Sequence, residues 1–89
     1  MRDMDSIDRE KVFWRNIDGR TVVQQMDTGS SYELEGAAEF IWNLLAAGKN
    51  FGSIVSALAL EYGIEESIAL KDLRELLEQF QEESLIDRS

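Results

Sequence analysis

The hydrophobic pattern of this chain changes its period once, near Glu35-Gly36, and that single change constrains the fold more than any other feature. Before it, apolar and β-branched residues come in short runs broken by turn residues. Val12-Phe13-Trp14-Arg15-Asn16-Ile17 reads as a strand ending at Asp18-Gly19, a dipeptide that suits the tight turn of a β-hairpin. Thr21 to Met26 reads as a second strand, closed by Asp27-Thr28-Gly29. Ser30 to Leu34 reads as a third, with Tyr32 and Leu34 on one face and Ser31 and Glu33 on the other, because strand side chains alternate.

After the change, apolar residues recur at helical spacing. Ala37, Phe40, Ile41, Leu44 and Leu45 mark a first helix to about Ala46, and Trp42 widens its apolar stripe until the helix asks for a central position. Asn50 caps a second helix carrying Phe51, Ile54, Val55, Leu58 and Tyr62, which Gly63 ends; Leu60 falls opposite that stripe. A third helix is expected over about Glu66 to Glu82, with Ala69, Leu73, Leu76, Leu77 and Phe80 inward and Ile68 and Leu70 on opposite flanks. Leu85-Ile86 then reads as a short extended piece folding back onto the core.

A run of strands followed by a run of helices implies an α+β layer fold. The order is βββααα, a three-stranded antiparallel sheet beside three helices. Only Gly63-Ile64-Glu65 separates the last two helices, so the arrangement is winged helix-turn-helix-like. Residues 1–11 are expected to form a polar tail or loosely docked arm, 12–86 the domain, and 87–89 a polar end.

Composition removes most chemistry. With 89 residues, no Cys and no His, the chain is one domain without a thiolate, an imidazole base or a Cys/His zinc site, and no cofactor or metal is expected. Nothing resembles an EF-hand or a phosphate-cradling loop, so the expectation is a protein that is not an enzyme. The charged start Met1-Arg2-Asp3-Met4-Asp5 and the lack of a long apolar run point to a cytoplasmic, non-membrane protein. Nine Lys and Arg against 18 Asp and Glu give a net charge of −9. In the helix that would enter a DNA groove, Glu65, Glu66, Asp72, Glu75, Glu78, Glu82 and Glu83 face only Lys71 and Arg74. Phosphate binding needs the opposite excess, so nucleic acid is excluded as a partner.

The residues resemble the PqqD-like family, the recognition elements for ribosomally made precursor peptides. The resemblance lies in Trp14-Arg15 with Asp18-Gly19, Asp27-Thr28-Gly29 leading to Tyr32-Glu33-Leu34, and Ala37-Ala38-Glu39-Phe40-Ile41-Trp42 with Leu44-Leu45. It continues through Ile54-Val55, Leu58, Glu61-Tyr62, Asp72 with Leu76-Leu77, and Leu85-Ile86, spanning residues 12 to 86. The chain departs from the family at Glu35-Gly36, where Asn often caps the first helix, and at Ser84, where Gly is usual. It does not look closely like the PqqD of pyrroloquinoline quinone biosynthesis itself, so the resemblance implies the fold and the peptide-binding class rather than the pathway.

What the resemblance implies is a winged-helix domain that binds the leader of a precursor peptide and presents it to a modifying enzyme, such as a radical SAM protein or a lasso-type maturation enzyme. The residues agree with that mode: an edge strand offers unpaired N–H and C=O groups to which an extended peptide adds. Candidate contacts are Ser31, Tyr32, Glu33 and Leu34 on the strand and Ile68, Leu70, Lys71, Asp72, Leu73, Arg74 and Leu77 on the last helix. Apolar members would take leader anchors, while Lys71, Asp72 and Arg74 would pair with leader charges or polar groups, and the acid surplus points to a neutral or basic partner surface. The alternative is a dimeric winged-helix interaction or assembly adaptor that reads no leader. Phe13 and Trp14 point to opposite faces of their strand, so one of them is expected outside the core.

Overall fold

A computed structural model describes residues 6–87. Its elements are β1 (Ser6–Ile7), β2 (Val12–Ile17), β3 (Arg20–Gln25), β4 (Ser31–Leu34), α1 (Ala37–Ala46), α2 (Phe51–Tyr62), α3 (Glu66–Glu82) and β5 (Ile86–Asp87). Strands β2, β3 and β4 form one antiparallel sheet in that order, so β2 and β4 are its two edges. The three expected strands and three helices are these β2–β4 and α1–α3. The two-residue strands β1 and β5 pair separately, Ile7 opposite Ile86.

Each junction has a local cause. Asp18 and Gly19 sit at φ 51° and 79°, the positive pair that a two-residue hairpin needs to match strand twist. At the β3–β4 turn Gly29 is left-handed, its N–H donates to Gln25 O, and Gln25 N–H donates to Ser30 O, which sets the register of β4. Gly36 turns the chain from β4 into α1 at φ 60°, ψ −131°, a region closed to residues with a Cβ. The helix start is made by backbone geometry, with no side-chain cap. Asn50 caps α2 by accepting from Ser53 N–H at 2.8 Å, as the sequence predicts.

The inner face of the sheet carries Val12, Trp14, Val23, Tyr32 and Leu34 toward the helices. Trp42 on α1 is fully buried between two rings, edge to face with Trp14 at 5.5 Å and with Phe80 of α3 at 5.4 Å. Its indole Nε1 has no hydrogen-bond partner among the described residues; the ring is held by packing within the apolar core. Two buried polar side chains are satisfied. Thr21 Oγ1 lies 2.5 Å from Asn16 Oδ1 and 3.1 Å from Glu39 Oε2, and Gln25 donates to Ser84 O at 2.9 Å while accepting from Asp27 N–H.

Residues 6–11 are docked rather than a free tail, and residues 1–5 lie outside the described residues. Ile7 is part of the core. Arg9 donates to Ala46 O at 2.6 Å, where a cation meets the carbonyl end of α1, and its guanidinium lies 5.3 Å from the Trp14 ring centroid. The polar end expected at 87–89 likewise begins with a residue paired into β5, while residues 88–89 are outside the described residues. Leu85 and Ile86 fold back and are buried, as expected. Of the two adjacent aromatics, Phe13 is 57% exposed and Trp14 faces the core.

Candidate functional site

Strand β4 follows a fixed hydrogen-bond parity. Because Gln25 N–H donates to Ser30 O, the pairs Val23 with Tyr32 and Thr21 with Leu34 are the ones that exchange main-chain hydrogen bonds with β3. The N–H and C=O groups of Ser31 and Glu33 therefore point the other way, to the open edge. Side chains alternate independently of this: Tyr32 and Leu34 turn inward, Ser31 and Glu33 outward.

Between α1, which follows β4 after two residues, and α3 lies a hollow of about 300 Å³, lined by Ala37, Ala38 and Ile41 at the start of α1 and by Asp72, Glu75, Leu76 and Gln79 on α3. The α3 members are one face of a helix, spaced three and four apart. The strand leads directly through Glu35-Gly36 into the α1 wall, so the open row of main-chain groups is joined to one wall of a partly apolar hollow by two residues of chain. The charges on the two sides differ. Arg20 Nη1 holds Glu33 at 2.9 Å and Glu35 at 3.7 Å, whereas among the described residues Asp72 and Glu75 have no ion pair.

The sequence-derived candidates separate into three groups. Ser31, Tyr32 and Glu33 lie on the open-edge strand and Asp72 lines the hollow, and helical phase puts the half-exposed Ile68 on the same α3 face as Asp72. Leu34, Leu73 and Leu77 are in the core; Leu73 is completely buried and presents no surface to a peptide. Leu70, Lys71 and Arg74 do not line the hollow, and Leu70 packs on the core. Sequence reasoning missed Ala37, Ala38, Ile41, Glu75, Leu76 and Gln79 as wall residues. The signal for the α3 members was their 3-4 spacing from Asp72, which periodicity supplies once the facing element is known.

Fold and topology together define a small winged-helix-like domain with an open strand edge at β4 and a hollow between α1 and α3. A family model described as coenzyme PQQ synthesis protein D (PqqD) matches residues 20–86, and the chain belongs to the PqqD family. Among solved structures, it is similar to TbiB1 in complex with the TbiA(beta) leader peptide, with 29% sequence identity over 92% of this chain and 94% of that chain and a TM-score of 0.88. No curated protein sequence matches the chain. Among the described residues no helix is long and apolar enough to cross a membrane.

Proposed function

We propose that this protein is a non-catalytic recognition element that takes the leader segment of a ribosomally made precursor peptide as a fourth strand on β4 and presents it to a modifying enzyme. The observation that carries the reading is the outward main chain of Ser31 and Glu33, joined through Glu35-Gly36 to a wall of the α1–α3 hollow. An extended peptide there gains strand hydrogen bonds, and its inward side chains meet Tyr32, Leu76 and the α1 start, where sequence is read. The similarity to a domain solved with a leader peptide supports the same role, and family membership supports a place beside a peptide-modifying enzyme of the radical SAM or lasso-maturation type.

The test is titration of the isotope-labelled protein with the precursor leader encoded beside its gene. Amide shifts should concentrate in 31–36 and in α3 around 72–79. Shifts confined to Val12–Ile17 would remove the β4 mode. They would favour the reading as an assembly adaptor, for which the exposed Phe13 and Met26 beside the β2 edge are the supporting feature.

A further inference from the structure

We infer that the peptide accepted at the β4 edge carries a Lys or Arg two residues from an apolar anchor, and that Asp72 and Glu75 are the side chains that select it. This rests on the strand-addition reading and names the ligand chemistry that reading leaves open.

The argument begins with the distribution of unpaired charge. On the strand side of the site the acids are already answered: Arg20 is shared between Glu33 and Glu35. On the helix side Asp72 and Glu75 line the hollow, both exposed, and among the described residues neither is in an ion pair. The nearest cations in sequence do not neutralise the hollow. Lys71 precedes Glu75 by one turn, on the flank of the face, and forms no ion pair with it, and Arg74 points away by helical phase. The acid excess of the sequence already points to a neutral or basic partner surface; the placement of these four residues assigns the cation to Asp72 and Glu75. An acidic ligand would meet like charges in a protein of net charge −9.

The spacing follows from the two periodicities. Leu76 and Asp72 are one helical turn apart, roughly 6 Å along the axis. Alternate side chains of an extended strand are about 6.7 Å apart. A peptide lying alongside α3 with an apolar side chain over Leu76, Ala38 and Ile41 therefore brings its next inward side chain level with Asp72. Glu75, roughly 4.5 Å from Asp72 along the helix axis, is within reach of the same long basic arm. The expected signature is an apolar residue and a Lys or Arg separated by one outward-facing residue.

The experiment is selection of a displayed library of random twelve-residue peptides on the full protein, and in parallel on Asp72→Lys/Glu75→Lys, with thermal melting to confirm that the variant folds. Selected peptides should carry Lys or Arg two places from an apolar residue, and the variant should exchange that preference for Asp or Glu. In one selected peptide, Lys→Gln should weaken binding roughly three- to tenfold at low salt and by less at high salt. Peptides that bind the edge without a charge preference, or a preference that the variant does not exchange, overturn this inference and leave strand addition standing. Failure to select any peptide, or selected peptides that still bind Glu33→Pro, overturns strand addition itself and the inference with it.

Discussion

The sheet has two edges, and they are finished in opposite ways. At β2 the hairpin parity turns the main chains of Val12, Trp14 and Asn16 outward, but the arm over residues 8–11 has already claimed part of that row. Val12 N–H donates to Asp8 O at 2.9 Å, and Arg9 covers the ring of Trp14. At β4 the main chains of Ser31 and Glu33 turn outward, and two residues of chain join the strand to a wall of the hollow. Unpaired strand edges are a hazard that proteins cover, shorten or charge. Here one is partly covered from within the chain and the other is kept to four residues, short enough to limit self-pairing yet long enough to hold a ligand strand. What the difference teaches is that an open edge becomes a site when something next to it can read side chains.

The sharpest way to break the comparison is to block each edge in turn. Glu33→Pro removes an outward N–H without touching the ladder to β3, because Glu33 is in a pair that does not exchange those bonds. Leader affinity measured by fluorescence anisotropy should fall more than about 30-fold, from the loss of one strand hydrogen bond together with the clash of the proline ring with the incoming strand. The matched change on the other edge, Asn16→Pro, should leave affinity within about twofold. Equal effects at both edges would end the distinction.

The hollow is tested next. Leu76→Ala removes half-buried apolar surface from its wall and should weaken leader binding roughly three- to tenfold, with stability reduced by about 1 kcal/mol in urea denaturation. Phe13→Ser, on the outer face next to the covered edge, should leave both quantities nearly unchanged.

A smaller effect sharpens the account of the covered edge. Arg9→Ala loses the bond to Ala46 O and the contact with Trp14, and should cost about 1 kcal/mol while shifting tryptophan emission to longer wavelength. Leader affinity should not follow. The smallest effect lies away from both edges. Ser84 is left-handed at φ 61°, with Leu85 N–H donating to Phe80 O and Ser84 N–H to Gln81 O, the same kind of helix ending that Gly63 provides for α2. Ser84→Gly should raise stability by about 0.5 kcal/mol in the same denaturation experiment and leave binding unchanged.

The main sheet and all three helices were legible because each has a periodic signal and a chemical stop. Asp18-Gly19, Asn50 and Gly63 are residues whose backbone or side-chain chemistry allows few alternatives, and the elements end where these residues place them. The β1–β5 pair was not legible. Two-residue strands have no period to detect, and their partners are separated by nearly the whole chain. The α3 side of the site was half legible for a different reason. Periodicity marks which residues share a face but not which neighbour that face meets. Leu73 and Leu77, offered as contacts, are core, while Glu75 and Gln79, which carry no hydrophobic signal, line the hollow. The buried Gln25 was invisible because its burial depends on a carbonyl far along the chain, that of Ser84.

Trp42 has a consequence for binding although it touches no ligand. Its ring is wedged between Trp14 of the sheet and Phe80 of α3, near-perpendicular to both. A rigid spacer between sheet and α3 restrains how far the two can part, and so limits the width of any slot between them before a peptide arrives. A peptide entering a slot of set width spends little of its binding energy on ordering the host. The aromatic stack thus acts as a gauge block, and variation at Trp42 would be felt as a change in preorganisation at a surface it never reaches.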